Sequence, residues 1–280
     1  MMPWLHMPPV WRSLDGTVTD ESEKTMPFVL HAVPCLADNY AYLIHDPASG
    51  ATAVIDVPEA APVQQALAAQ GWTLTDILIT HHHDDHIGGV QDLRAATGAR
   101  VWGAGGDAHR LPPLDHALAE GDSVTIGHET GHVLDASGHT VGHIAFHFPE
   151  AKLAFTADSL MALGCGRLFE GSAQQMWDSL TKFMDLPDDT VICSGHDYIE
   201  GNAAFALSVD ADNPDLVARI ARSDADRRDG KPMAIAPLSL ELATNPFLRA
   251  ADPRMKASLG LPRASDVDTF AHLRALKDKF

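Results

Sequence analysis

The chain has 280 residues, 45% of them apolar and 21% charged, the composition of a globular protein with a substantial core. Its 38 acidic residues outweigh 20 Lys and Arg, and the net charge of −18 argues against nucleic acid as a partner, because phosphate binding needs a basic face. No apolar run reaches the length that spans a bilayer, so no membrane partner is expected; three widely spaced Cys (Cys35, Cys165, Cys193) with no C-x-x-C pair fit reduced thiols in the cytoplasm.

Residues 1–25 mix Pro, Ser, Asp and Glu with isolated Trp4 and Trp11. They lack the apolar core of a secretory signal and read as an N-terminal extension, or as sequence upstream of a natural start at Met26. From Met26 onward, short β-rich runs come first, at Phe28–Val33, Tyr40–His45 and Thr52–Ile55, the last ending in Asp56 and a Pro-containing turn. The Ala-rich stretch Glu59–Gln70 has helical spacing, and Gly71 is a stop. Asp76–Ile79 reads as a short buried strand, Ile87–Thr97 as a helix ended by Gly98, and Arg100–Trp102 as another strand. A second β-rich series follows at Ser123–Ile126, His132–Asp135, His143–Phe148 and Lys152–Thr156, then a helix at Ala173–Met184 and a strand at Thr190–Cys193. Beyond Gly195 the periodicity is helical, at Ile199–Asp210, Pro214–Arg228, Leu238–Leu242 and Asp266–Lys277, and no strand is expected. This order suggests an α/β layered sandwich over residues 26–196 and a small helical domain over 197–280.

The most informative stretch is Thr80-His81-His82-His83-Asp84-Asp85-His86-Ile87-Gly88-Gly89, directly after the apolar run Ile77-Leu78-Ile79. Imidazole and carboxylate suit zinc, iron and manganese. His81, His83, Asp85 and His86 are too many for one catalytic metal with an open position, but they make sense shared between two. A chance cluster in a chain with 16 His would not need a strand before it and a Gly-Gly turn after it. Three further residues stand where strands end: His139 in Gly138-His139-Thr140-Val141-Gly142-His143, Asp158 after Phe155-Thr156-Ala157, and His196 after Cys193-Ser194-Gly195. Alone each is weak, since a His after a strand is more often simply hydrogen-bonded and an acid there is often a helix N-cap. Together, in this order, they are a strong signal.

The series T-H-x-H-x-D-H, G-H-T, Asp and G-H resembles the metallo-β-lactamase superfamily. The finer resemblance is to the hydroxyacylglutathione hydrolase (glyoxalase II) family. It is carried by Val33-Pro34-Cys35-Leu36-Ala37-Asp38-Asn39-Tyr40, Gly164-Cys165-Gly166-Arg167-Leu168-Phe169-Glu170-Gly171, Gly195-His196-Asp197-Tyr198, Asn245-Pro246-Phe247-Leu248-Arg249 and Lys277-Asp278-Lys279-Phe280. The resemblance implies an αββα sandwich followed by a helical substrate-binding domain. It implies two divalent metal ions, Zn in first place, with Fe or Mn possible. His81, His83 and His139 would bind one, Asp85, His86 and His196 the other, and Asp158 would bridge them. The reaction implied is hydrolysis of S-D-lactoylglutathione to D-lactate and glutathione, in methylglyoxal detoxification. A metal-bridging hydroxide held by Asp85 and Asp158 would be the nucleophile. Arg167, Phe169, Tyr198, Arg249 and Lys256 (or Arg254) would receive the glutathione moiety; Phe169 stands where relatives carry Tyr. Asp56 is either the orienter of a ligand imidazole or a strand-end turn residue. His82, Asp84 and His143 are not expected to be ligands, and His128, His132 and His147 read as surface or strand residues. Cys165 reads as structural. The alternatives are a glutathione persulfide dioxygenase with mononuclear iron, another hydrolase of this fold, and a non-catalytic metal-binding protein. A monomer is the favoured oligomeric state.

Overall fold

A computed structural model describes residues 28–280, so the expectation for residues 1–25 lies outside the described residues. Two six-stranded sheets face each other. The first runs β1 (Val29–Cys35), β2 (Asn39–His45), β3 (Thr52–Ile55), β4 (Asp76–Leu78), β5 (Arg100–Ala104) and β6 (His116–Leu118), in that spatial order. β1–β3 are antiparallel, and β3–β6 are parallel. The second sheet holds β7 (Ser123–Ile126), β8 (Glu129–Asp135), β9 (Ile144–Phe148), β10 (Leu153–Ala157), β11 (Val191–Ser194) and β12 (Ile235–Pro237), again in spatial order. Only β10 and β11 pair in parallel there.

Strand alternation explains the layers. Tyr42, Ile44 and Ile55 point toward the second sheet, where they meet Phe146, Phe148 and Phe155. Their neighbours Ala41, Leu43 and Val54 point the other way, onto α1 (Ala60–Gln70) and α3 (Val90–Thr97) through Val63, Leu67, Val90 and Leu93. On the second sheet, Ala145, Ala154 and Ile192 face α4 (Ala173–Met184), α5 (Ile199–Asp210) and α9 (Asp266–Lys277), through Met176, Leu180, Phe183, Phe205, Phe270 and Leu273. A sheet covered on both faces has no polar side, which is why these strands read as nearly continuous apolar runs. The result is the expected αββα sandwich.

Four details differ from the sequence reading. The cluster after β4 turns into a one-turn helix, α2 (Asp84–Ile87), and α3 restarts only after Gly88-Gly89. The short strand β6 was not expected; three residues carry too little pattern to be seen. The expectation of no strand beyond Gly195 is also corrected, because β12 pairs antiparallel with β11. Ile235-Ala236-Pro237 is short, and its Pro disguises an edge strand. The helical region, with α6 (Pro214–Arg228), α7 (Leu238–Thr244), the unforeseen α8 (Pro253–Ser258) and α9, is therefore stitched into the second sheet. Buried Asn245 reinforces this junction, donating from Nδ2 to the carbonyls of Met161 and Gly164 at 3.1 and 3.0 Å. No helix among the described residues is long and apolar enough to cross a membrane.

Candidate metal centre

The loops after β3, β4, β8, β10 and β11 meet at one edge of the sandwich. They carry Asp56, the His81–His86 cluster, His139, Asp158 and His196. The backbone is fixed tightly here. Tyr40 N–H donates to the Gly195 carbonyl at 2.9 Å, joining the two sheets. Asp56 and Ala157 adopt φ of +54° and +41°, a left-handed conformation that side-chain-bearing residues rarely take and that is typically held only where surroundings enforce it. Gly195 leaves room for the cluster, since a Cβ on it would lie 2.6 Å from Asp158 Oδ1 and 2.7 Å from His86 Cε1.

Two groups of donor atoms result. In each, the potential ligand atoms lie within 4.8 Å of one another: His81, His83 and His139 in the first, and Asp85, His86 and His196 in the second. Asp158 stands between them. One of its carboxylate oxygens is 3.3 Å from His139 Nε2 and 3.4 Å from His196 Nε2, and the other is 3.3 Å from His86 Nε2. The structure thus brings together all seven residues singled out in the sequence.

Four of the five imidazoles have one nitrogen committed to an orienting partner and the other aimed inward, while His83 turns its Nδ1 to the site. His86 Nδ1 meets Asp56 Oδ2 at 2.8 Å, His196 Nδ1 meets Asp38 Oδ1 at 3.0 Å, and His139 Nδ1 meets the Arg167 carbonyl at 2.8 Å. His81 Nδ1 lies 3.0 Å from Thr80 Oγ1, which itself donates to Asp56 at 2.7 Å. Ionised carboxylates and carbonyls only accept, so these contacts put the ring proton on Nδ1 and leave the Nε2 lone pair facing the site. Asp56 also completes a third close group with His81 and His86. Its oxygens are already occupied by Thr80 N–H, Thr80 O–H and His86, which makes it an orienting residue.

Without a cation, this arrangement is poorly satisfied. His83 Nδ1 lies 3.1 Å from His81 Nε2 and 3.0 Å from His139 Nε2, three ring nitrogens crowded on one point. Asp158 Oδ1 is buried with no hydrogen-bond partner among the described residues. Burial, then neighbouring imidazoles, pushes His81 well below the ordinary imidazole value; burial also lowers His83 and His139. Neutral imidazoles with converging lone pairs, beside a carboxylate with one unpartnered oxygen, are the donor set of a divalent metal centre. His86 differs: burial disfavours its charge, but Asp158 and Asp56 outweigh it and raise that group well above the usual value, so a metal would bind there in place of a proton on Nε2.

The neighbouring histidines take other places. His82 turns away from the centre toward Asp107, at 3.1 Å. His143 stacks on His81 at 4.6 Å, fully buried. His147 lies within β9, His132 within β8, and His128 pairs with Asp46. Asp84 begins α2. Cys165 is buried, its thiol pushed up to about 11 by burial, and Arg274 donates to its carbonyl at 2.7 Å.

The expected substrate-facing residues split. Phe169 is 61% exposed, with its ring centroid 5.7 Å from His83 and 5.2 Å from His139. Arg167 lies over the Phe169 ring. Tyr198 stacks on His196 at 4.6 Å, and burial pushes its hydroxyl up to about 12, so it remains a donor at neutral pH. Arg249 and Lys256, by contrast, are not at the site. Arg249 pairs with Asp210 and Asp252, and Asp210 ends α5, whose other end begins beside Tyr198, roughly 18 Å away by helix rise. Lys256 pairs with Asp266, the first residue of α9, at 2.6 Å. The opposite end of α9 places Lys277 in a cleft of about 490 Å³ next to the centre, lined also by Asp38, Asp197, Tyr198, Asn202 and Arg227. Asp38, Lys277 and Arg227 were missed as site residues. Asp38 and Lys277 belong to motifs already quoted, and a closer reading of those motifs could have assigned them roles; no local signal marks Arg227.

Two six-stranded sheets with a bipartite His/Asp centre at their edge define a metallo-β-lactamase fold, and the Metallo-beta-lactamase superfamily matches residues 38–196. Residues 197–280 match the Hydroxyacylglutathione hydrolase C-terminus. The chain belongs to the hydroxyacylglutathione hydrolase family. It is 63% identical to the hydroxyacylglutathione hydrolase of Jannaschia sp. (strain CCS1), over 89% of this chain and 97% of that one. It is also 63% identical to that of Fuscovulum blasticum, over 90% and 98%. Among solved structures, ETHE1 from Myxococcus xanthus superposes with a TM-score of 0.63 at 26% identity, covering 88% of this chain and 90% of that one.

Proposed function

We propose that this enzyme hydrolyses S-D-lactoylglutathione to D-lactate and glutathione. The observation that carries the reading is the pair of donor groups around the unpartnered Asp158 oxygen, beside a cleft where Tyr198 and Lys277 stand among Asp38, Asp197 and Glu200. His81, His83 and His139 would hold one divalent metal, and Asp85, His86 and His196 the other, with Asp158 shared. Zinc suits these donors best, and iron or manganese fit the same set. When bound, such metals acidify water and polarise a carbonyl.

The chain's own residues do the rest. Asp56, Asp38 and the Arg167 carbonyl fix the imidazole protons away from the centre. Arg167 and Lys277 supply positive charge for the tripeptide's carboxylates against a strongly acidic background. Tyr198 offers a hydroxyl donor, and Phe169 an apolar wall. A leaving thiolate with a pKa of about 8.5 needs no strong general acid, and buried Cys165 has no part in the chemistry. We assign residues 26–196 to the metal-holding domain and 197–280 to the helical substrate-binding domain. A cytoplasmic location fits three free, buried cysteines.

The test is loss of the ultraviolet absorbance of S-D-lactoylglutathione, with metal content measured on the same sample. Turnover with about two metals per chain is the expected result. No turnover with a single iron would instead favour the persulfide dioxygenase, which the complete second donor group disfavours.

A further inference from the structure

Beside the metal centre lies a second polar cluster that the reaction does not use. Asp107, buried after β5, accepts from Arg110 Nε at 2.6 Å through one oxygen and meets His82 Nδ1 at 3.1 Å through the other. The Arg110 guanidinium forks onto both carboxylate oxygens of Glu170. Glu170 Oε2 in turn accepts the Val141 N–H at 2.9 Å. Three loops are thereby tied together: the one after β5, the His139 loop, and the segment Arg167–Gly171. An isolated exposed ion pair would contribute little. This one is shared with a buried carboxylate and a backbone amide, and it is bidentate, the geometry that fixes orientation as well as distance.

What the fork holds is the segment that presents Arg167 and Phe169. That segment also lies against the His139 loop, with Phe169 N–H donating to the His139 carbonyl at 3.2 Å and Gly171 N–H to the Gly138 carbonyl at 3.1 Å. Gly166 approaches so closely that a Cβ would sit 2.1 Å from the Asp158 carbonyl and 2.8 Å from His139 Nδ1. The segment's N-terminal end is therefore fixed by the centre itself. Its C-terminal end, beyond Phe169, is held by the Gly171–Gly138 hydrogen bond and by Glu170, which alone ties it to Arg110 and the Val141 amide.

We propose that Arg110 and Glu170 form a bracket that positions Phe169, and through its ring Arg167, which also pairs with Asp278, for the tripeptide part of the thioester, setting substrate affinity without touching the reacting bond. The proposal rests on the glutathione-thioester reading given above. Arg110 and Glu170 are positioning residues, and their effect should appear in KM and not in kcat.

The experiment compares metal-loaded wild type with Glu170→Gln and Arg110→Met, and with Arg110→Lys as the conservative variant. Two substrates are used: S-D-lactoylglutathione and S-lactoyl-N-acetylcysteamine, which lacks the tripeptide. Binding of S-methylglutathione, which cannot be hydrolysed, is measured by calorimetry. Displacing a positioning group is expected to raise KM for the glutathione thioester about tenfold and leave kcat within about threefold. The Kd of S-methylglutathione should rise by the same factor. Turnover of the truncated thioester and metal content should not change, and Arg110→Lys should recover part of the loss. Unchanged KM and Kd in both disruptive variants would overturn the bracket while leaving the activity intact. Equal losses on both substrates, with metal lost, would also overturn it, since the cluster would then be a support of the metal centre. If wild type itself treats the two thioesters alike, the glutathione reading falls, and the bracket with it.

Discussion

The metal centre and the substrate cleft beside it are built by different means. Every donor of the centre stands in a loop or short helix that follows a strand, and strand register sets where that segment begins. The imidazoles and carboxylates are short, so residue type and position nearly decide where the donor atom goes. The cations of the cleft come instead from helices far along the chain, on long side chains. In a chain with 38 acidic residues, a cation's default destination is an intramolecular carboxylate. Arg249, Lys256 and Arg227 all end on one. Lys277 has no ion-pair partner among the described residues, and donates to the Gly201 carbonyl at 2.7 Å. A cluster of donors is thus a statement about chemistry, whereas an Arg or Lys in an acidic chain becomes one only once its partner is known.

The strongest way to break this comparison is at the shared carboxylate. Asp158→Ala removes the group common to both donor sets. It is expected to lose both metals and to lower turnover by more than about 10³-fold, the several kcal/mol that metal assistance supplies. Metal analysis together with the thioester assay checks it, and retention of two metals would remove Asp158 from the ligand set. A subtler break leaves every donor in place. Asp56→Asn tolerates the same left-handed φ, but turns an amide N–H toward His86 Nδ1 and the Thr80 hydroxyl. Both must then accept where they donated, or lose their partner, and the protons of His86 and His81 move to the nitrogens that face the centre. Metal affinity is expected to fall roughly 10–100-fold, as measured by chelator competition, with the fold retained. Unchanged affinity would return Asp56 to the role of a turn residue.

The difference between the two regions also decides what could be read from the sequence. The sandwich was legible because its strands are covered on both faces and appear as apolar runs between turn residues. The centre was legible because its residue types recur at strand ends in a fixed order. Arg249 was misread because its position in a quoted motif carries no information about Asp210, 39 residues earlier in the chain, to which it is bound. Asn245 in the same motif turned out to anchor the Met161–Gly164 turn, a packing role that sequence periodicity does not express. The strand β12 was missed for a related reason: pairing with β11, and not any internal pattern, makes Ile235–Pro237 a strand.

The two ends of α9 give the finest test, because a cation of each kind stands at one of them. Lys256 meets its N-terminal residue Asp266, and Lys277 leaves its C-terminal turn at the cleft. A charge-assisted hydrogen bond to a substrate carboxylate contributes about 1.5–3 kcal/mol, so Lys277→Ala is expected to raise KM about tenfold or more, with kcat within about threefold. Lys256→Ala removes a half-exposed ion pair of at most about 1 kcal/mol. It is expected to leave KM within about twofold and lower the melting temperature by roughly 1–4 °C. Steady-state kinetics and a thermal melt on the two variants separate the cases. The reverse pattern would place the tripeptide at the Asp266 end of α9, roughly 17 Å along the helix from Lys277, and would make the Lys256–Asp266 pair a contact that substrate has to displace.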